Sequence, residues 1–224
     1  VNTIFLVLAV FAAIIEWVAV GKRCRKVEYL IKPAVMIFLL AWLIRSGSLQ
    51  QDQPLWFTIG LFFSLLGDIF LLIPQERIGF PLGLTAFFLT QLCFIRTFQS
   101  ANFLHGIYSL ILAGVILLLF GWLGWRLMRS LITKGMQLFI IPLSLYMLAV
   151  AAMLFRALSL NFQPDWNSTP ALLISSGAIA FAASDTILAW NKFIAPLQYG
   201  RIALMICYHV GQILMASGVI LQFL

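Results

Sequence analysis

The sequence predicts an all-α, polytopic membrane protein of eight transmembrane helices, and three observations carry that prediction. Of 224 residues, 63% are hydrophobic and 9% charged, whereas soluble domains carry about 25% charged residues. Mean hydropathy is +1.06. The apolar residues also gather into eight runs, each close to the ~20 residues a helix needs to cross a bilayer. This composition excludes a soluble enzyme and a nucleic-acid binder. It also excludes an outer-membrane barrel, whose strands would alternate polar and apolar residues.

The runs follow one another with clear punctuation. The first, residues 1–20, ends at Gly21-Lys22-Arg23. Its charge follows the apolar stretch, the reverse of a secretory signal peptide. The second, 30–46, opens around Lys32-Pro33 and ends near Arg45. The third, 54–73, lies between Pro54 and Pro74. The fourth covers 79–98 and the fifth 104–125. The sixth, 136–158, has Pro142 near its start and Arg156 near its end. The seventh, 170–190, opens at Pro170, and the eighth covers 198–222. No connection is long enough for a further domain, so residues 1–224 read as a single transmembrane domain.

Charge sets the expected orientation. The net charge of +7 would point to nucleic acid in a soluble chain, but here the basic residues sit between apolar runs. Eleven lie on the side that follows the first run and three (Arg45, Arg96, Arg156) on the other. By the positive-inside rule, both termini face away from the cytoplasm. Cys24, Cys93 and Cys207 are odd in number and far apart, which supports neither a disulfide framework nor a zinc knuckle.

The order of features admits a parallel 4+4 internal repeat. A small residue precedes aspartate in run three (Gly67-Asp68) and in run seven (Ser184-Asp185). Pro33 and Arg45 of run two have counterparts in Pro142 and Arg156 of run six. The separations of 117, 109 and 111 residues are similar but unequal. Four helices per repeat would leave both halves in the same orientation.

Of the seven acidic residues, Glu28, Asp52, Glu76 and Asp165 lie in connections or at their edges, while Glu16, Asp68 and Asp185 lie within runs. An acid at mid-membrane costs at least ~2.5–3.5 kcal/mol, so each needs a partner or a purpose. All three sit four or five residues from the inner end of their run, roughly 6–8 Å below the boundary at 1.5 Å per residue. A shared depth on three helices points to a polar cavity near the cytoplasmic leaflet. An aspartate is too short to escape by snorkelling. Lys32 shares that depth. Asn191 and Lys192 follow Asp185 by six and seven residues, which returns them to its helix face. Arg201, Tyr208 and Gln212 form a stripe on run eight. His105 and His209 are separated and supply no metal-binding set, and no nucleophile elbow or phosphate loop is present. No cofactor or metal is expected.

These residues bear a resemblance. Lys32-Pro33, Leu66-Gly67-Asp68-Ile69-Phe70-Leu71-Leu72, Ser184-Asp185-Thr186-Ile187-Leu188-Ala189-Trp190-Asn191-Lys192-Phe193 and Tyr208-His209-Val210-Gly211-Gln212 resemble motifs of the YhhN/TMEM86 family, and Tyr146 also fits. Members of known activity are lysoplasmalogenases. They hydrolyse the vinyl-ether bond of lysoplasmalogens to a fatty aldehyde and glycerophospho-choline or glycerophospho-ethanolamine. The resemblance implies that Asp68 and Asp185 are the catalytic acids. One departure is Gln91, which stands where the family often has histidine and which cannot titrate.

The residues permit such chemistry. Vinyl ethers resist base and yield to acid, because the hard step is protonation of the alkenyl carbon. One aspartate would donate that proton, and the other, ionised, would stabilise the oxocarbenium ion and activate water. The sequence leaves open which does which. Lys32, Lys192 and Arg201 are suited to a lysophospholipid's phosphate, and Tyr146, Asn191, Tyr208 and Gln212 complete the candidate binding set. The expected partners are a lysophospholipid substrate and membrane lipids, with no nucleic acid. The expected location is a bacterial inner membrane. The chief rival is a small proton-coupled transporter using the same aspartates, though the outer half has few titratable groups within its runs. A non-catalytic lipid-binding protein is the third reading.

Overall fold

The structure, a computed structural model, describes residues 3–100 and 107–224. Its long helices are α1 (Ile4–Gly21), α2 (Arg25–Arg45), α3 (Asp52–Leu71), α4 (Glu76–Thr97), α5 (Ile107–Thr133), α6 (Ile140–Ser159), α7 (Ser168–Ala189) and α8 (Gly200–Phe223). All eight are long and apolar enough to cross a membrane, one for each predicted run. The start of the fifth run, with His105, lies outside the described residues.

Two helices outrun their apolar stretches. α2 begins at Arg25, so Lys32 and Pro33 sit about two turns inside it rather than at its opening. The polar turn Arg25-Lys26-Val27-Glu28 forms helix readily, but hydropathy registers only the apolar part. The extension puts Glu28 and Lys32 four residues apart on one face, and both are buried. α5 continues to Thr133, well beyond residue 125. In the extension the Arg126 guanidinium lies 5.9 Å and 5.6 Å from the rings of Trp122 and Trp190. That of Arg129 lies 5.9 Å from the ring of Trp125. Such cation–aromatic contacts steady a basic helical end.

α7 finishes irregularly. Trp190–Ile194 is a π-helical turn, a feature that recurs at functional sites. α5 satisfies its last carbonyls: the Lys134 ammonium donates to Phe193 O (2.8 Å) and Ile194 O (2.9 Å), and the Ser130 hydroxyl also donates to Phe193 O. The wider turn shifts Asn191 and Lys192 out of the α-helical register that begins at Asp185.

The closest helix pairs are α7 with α8 and α3 with α4. A Cβ added to Gly177 would stand 2.7 Å from the Gly211 carbonyl oxygen, and one added to Gly211 would stand 2.8 Å from that of Gly177. Backbones can approach this closely only where no side chain intervenes. On α3, a Cβ at Gly67 would meet the Phe87 ring of α4 at 2.7 Å. This contact seats the backbone beside Asp68. α1 packs on α2 and α8, while α2 and α3 both touch α8; on the other side α6 meets α4 and α7. α5 is the most peripheral helix and the least buried. It packs on α6 and on the π-helical turn.

Candidate active site

Asp68 and Asp185 line one cavity of about 40 Å³, together with Lys32, Phe87 and Tyr208. A water needs at least ~10–15 Å³ of such space, so the chamber has room for one or a few waters between two carboxyl groups. Residues from α2, α3, α4, α7 and α8 meet there.

The two aspartates have different surroundings. Asp68 is 1% exposed. Its Oδ1 lies 3.2 Å from the Lys32 ammonium, itself 3% exposed, and the Tyr208 hydroxyl donates to its Oδ2 at 2.8 Å. Tyr208 is braced by Phe87 edge-on at 6.0 Å and by Phe181 at 5.6 Å between ring centroids. Deeper in the bundle, the Gln212 amide donates to Ser64 Oγ (3.0 Å) and Ser64 Oγ donates to Thr90 Oγ1 (3.3 Å). Asp68 thus has a partner at each carboxyl oxygen, one of them the Lys32 ammonium. Asp185 has only neutral partners among the described residues. The Gln91 amide donates to its Oδ2 at 3.3 Å, and the Tyr146 phenol lies near it on the wall of the same apolar cavity. Asp185 is intermediate in exposure, and its side chain opens on two cavities at once.

The second of those cavities is apolar and narrow. Phe80, Leu123, Tyr146, Val150 and Ala182 are among the side chains that line it. It runs from Asp185 between α4, α5, α6 and α7. Three of its wall residues, Phe120, Leu123 and Leu127, come from the peripheral α5.

The structure therefore brings Lys32, Asp68, Asp185 and Tyr208 together, with Tyr146 behind Asp185 and Gln212 behind Tyr208. The others stand apart. The Lys192 ammonium pairs with Glu76 at 2.7 Å and lies 4.5 Å from the Phe80 ring centre. Asn191 Oδ1 accepts the Leu197 N–H at 2.8 Å and holds the α7–α8 connection. Arg201 pairs with the buried Glu28 at 2.7 Å and is largely exposed. One buried pair escaped the sequence reading. Glu16 and His209, both fully buried, lie 3.2 Å apart. The signal for this pairing is weak in sequence, because nothing local says that the first and last helices touch. Gln91, known from sequence only as a departure, proves to be a direct ligand of Asp185.

Eight apolar helices long enough to cross a membrane thus bring two aspartates with unlike partners to one water-sized chamber, as in a multi-pass membrane protein with a polar site between its helices. Comparison with known sequences identifies its kind: the YhhN family model matches residues 27–219, and the chain belongs to the YhhN family. Among curated relatives, the pig protein named lysoplasmalogenase TMEM86B is 31% identical over 204 residues, covering 91% of this chain and 76% of that one. The human protein named lysoplasmalogenase TMEM86A is 30% identical, over 72% of this chain and 64% of its own length. A Mycobacterium bovis protein named lysoplasmalogenase is 27% identical, over 83% of this chain and 67% of its own. No solved structure matches the chain.

Proposed function

We propose that this protein is a membrane hydrolase that cleaves the vinyl-ether bond of lysoplasmalogens, with Asp185 as general acid and Asp68 as the ionised partner. The observation that carries this reading is the shared chamber with unequal carboxyl environments. The names of the relatives give it its substrate class. Asp68 has an ammonium within 3.2 Å, which compensates a buried negative charge. Asp185 has an amide and a phenol, which do not. A carboxyl group with neutral partners and an apolar cavity beside it is suited to hold a proton.

The steps balance as follows. The alkenyl chain occupies the apolar cavity, with its double bond at Asp185. The Asp185 carboxyl proton passes to the alkenyl carbon distal to the ether oxygen, leaving an oxocarbenium ion flanked by two carboxylates. A water in the chamber adds to the cationic carbon and gives up a proton to the Asp185 carboxylate. The resulting hemiacetal loses its hydroxyl proton while the glycerol oxygen gains one, and the C–O bond breaks to give fatty aldehyde and glycerophospho-choline or glycerophospho-ethanolamine. One water is consumed and both carboxyl groups return to their starting forms. Positioned acid–base groups typically supply ~10²–10⁴-fold each. Lys32 serves Asp68 in this scheme. The phosphate falls to Arg201, which would exchange Glu28 for it, with Lys192 at the rim.

The four-plus-four arrangement also belongs to this proposal. α2 packs on α3 as α6 packs on α7, and α3 on α4 as α7 on α8. Each aspartate takes one partner from the preceding helix (Lys32, Tyr146) and one from the fourth helix of the other half (Tyr208, Gln91). Both termini lie on the non-cytoplasmic side in this reading, and the chain sits in a bacterial inner membrane. The test is aldehyde release from a lysoplasmalogen by purified protein in detergent. Asp68→Asn and Asp185→Asn, each monodisperse, are expected to lose it. Near-normal release by either would remove that residue from the mechanism.

A further inference from the structure

A further cavity, of about 440 Å³, lies where α1 ends and α8 begins. Val20, Gly21 and Arg23 line it from the α1–α2 turn, and residues 197–202 line it from the α7–α8 connection and the first turn of α8. Arg23 and Arg201 are the charged residues of its wall, and no acidic residue is among them.

The backbone around this cavity is unusual. Arg23 (φ 56°) and Tyr199 (φ 60°) are the two non-glycine residues with positive φ among the described residues, and both line it. Arg23 closes α1: its N–H donates to Val20 O at 3.2 Å, and the Cys24 N–H donates to Ala19 O at 2.9 Å. This is the Schellman arrangement, whose left-handed position is ordinarily glycine. A side chain kept at such a place against the backbone's preference is a feature of ligand clamps, and here that side chain is a guanidinium. Among the described residues it has no ion-pair partner. Arg201 holds Glu28 through Nη2, and a guanidinium has five N–H donors, so donors remain for an anion.

The cavity also stands at a suitable distance from the chamber. Arg201, Met205 and Tyr208 follow one another along one stripe of α8. Met205 and Tyr208 line the chamber, and Tyr208 donates to Asp68. The seven residues from Arg201 to Tyr208 rise about 10 Å at 1.5 Å per residue. In a lysoplasmalogen, seven bonds separate the alkenyl carbon that takes the proton from the phosphorus, about 8 Å at the ~3.5 Å that three bonds of extended chain cover. A substrate with its double bond in the chamber can therefore reach this cavity with its phosphate.

We propose that the cavity is the subsite for the substrate's glycerol phosphate, with Arg23 and Arg201 as its two guanidinium ligands. The proposal rests on the lysoplasmalogen reading above. It adds Arg23 to the site and places the phosphate between the α1–α2 turn and the α7–α8 connection. Guanidinium groups from two separate connections can each donate to phosphate oxygens.

Arg23→Gly tests this without endangering the fold, because glycine is the residue that the left-handed position favours. Its unfolding temperature in detergent is expected to be unchanged or higher. With a lysoplasmalogen as substrate, KM is expected to rise about 3–5-fold, within reach of a partly exposed ion pair, with kcat little changed. With a 1-alkenylglycerol, which has the vinyl ether but no phosphate, KM is expected not to move. No rise with lysoplasmalogen would overturn the proposal. An equal rise with both substrates would also overturn it, by making Arg23 a structural residue. Inorganic phosphate is expected to compete with lysoplasmalogen. If it bound with the same dependence on Arg23 and did not compete, the cavity would be a free-anion site and the proposal would fail. A saturated 1-alkyl lysophospholipid has no vinyl ether to cleave and separates binding from turnover. Followed by calorimetry, it is expected to bind Arg23→Gly about 3–5-fold more weakly than the wild type; equal affinity would sink the subsite. If binding weakens as expected while the wild type releases no aldehyde from lysoplasmalogen, the proposed activity fails and the phosphate subsite stands.

Discussion

Replacing Lys32 with methionine removes the cation that, among the described residues, the structure places against Asp68. The two side chains are 4% and 2% exposed, so neither is relieved by solvent. Truncating one member of a buried ion pair generally costs about 3–5 kcal/mol, because the other charge is stranded. The Tyr208 hydrogen bond at 2.8 Å remains, but a hydrogen bond to a charged group contributes only about 1.5–3 kcal/mol. The variant is therefore expected to be less stable and to relieve itself by protonating Asp68. It then lacks the ionised partner, and kcat should fall by the ~10²–10⁴-fold typical of an acid–base group. Aldehyde release, coupled to an aldehyde dehydrogenase, would give kcat and KM separately, and thermal unfolding in detergent would give stability. Combining Lys32→Met with Asp68→Asn removes both charges and should restore the unfolding temperature without restoring turnover. A Lys32→Met protein with normal kcat and only a raised KM would refute this reasoning and make Lys32 a phosphate ligand instead.

Tyr208→Phe should cost less than Lys32→Met, about 10–100-fold in kcat, the equivalent of one hydrogen bond to a carboxylate; steady-state kinetics would measure it. Arg201→Ala should raise KM while leaving kcat nearly unchanged, with Glu28→Ala having no such effect on KM. Gly211→Leu should destabilise the α7–α8 pair by more than the ~1–3 kcal/mol typical of overpacking, because its new Cβ meets the Gly177 carbonyl and Phe181 backbone rather than a movable side chain; the yield of folded protein and its unfolding temperature would report it. Leu123→Trp on α5 should narrow the apolar cavity and reduce activity on long alkenyl chains before short ones, as a chain-length series would show.

The helices and their order were legible because the bilayer imposes a length and a composition that hydropathy reads directly. Helix ends were less legible wherever polar residues continue a helix beyond the apolar zone, as at Arg25 and Thr133. The meeting of Asp68 and Asp185 in one cavity was legible from counting residues, although Glu16, counted to the same depth, does not line it; the stripe of Tyr208 and Gln212 was legible from helical periodicity. Lys192 was not. Seven residues after Asp185 it should share a face in an α-helix, but the π-helical turn at Trp190–Ile194 breaks that register and sends it to Glu76. The pairing of Glu16 with His209 needed the α1–α8 contact, which only the three-dimensional fold supplies. Gln91 illustrates the reverse problem: the sequence marked it as a departure, and the structure turns it into the amide that holds Asp185.

The unequal aspartates also bear on how such a site comes to work. In the proposed four-plus-four arrangement, Asp68 and Asp185 occupy equivalent places on α3 and α7, and a duplicated frame by itself would give them the same chemistry. Two like carboxyl groups in one small chamber cannot both be ionised cheaply, so some asymmetry must decide which one carries the proton. The helices that precede them supply it. Lys32 on α2 offers an ammonium to Asp68, whereas Tyr146 on α6 offers a phenol to Asp185. The cavities follow the same division, since the narrow apolar one opens at Asp185 and not at Asp68. The chain of a substrate lying in that cavity would have its double bond delivered to the carboxyl group that has a proton to give. In the proposed mechanism, positioning and acidity thus coincide at Asp185 through its neighbours, while its own side chain is no different from that of Asp68.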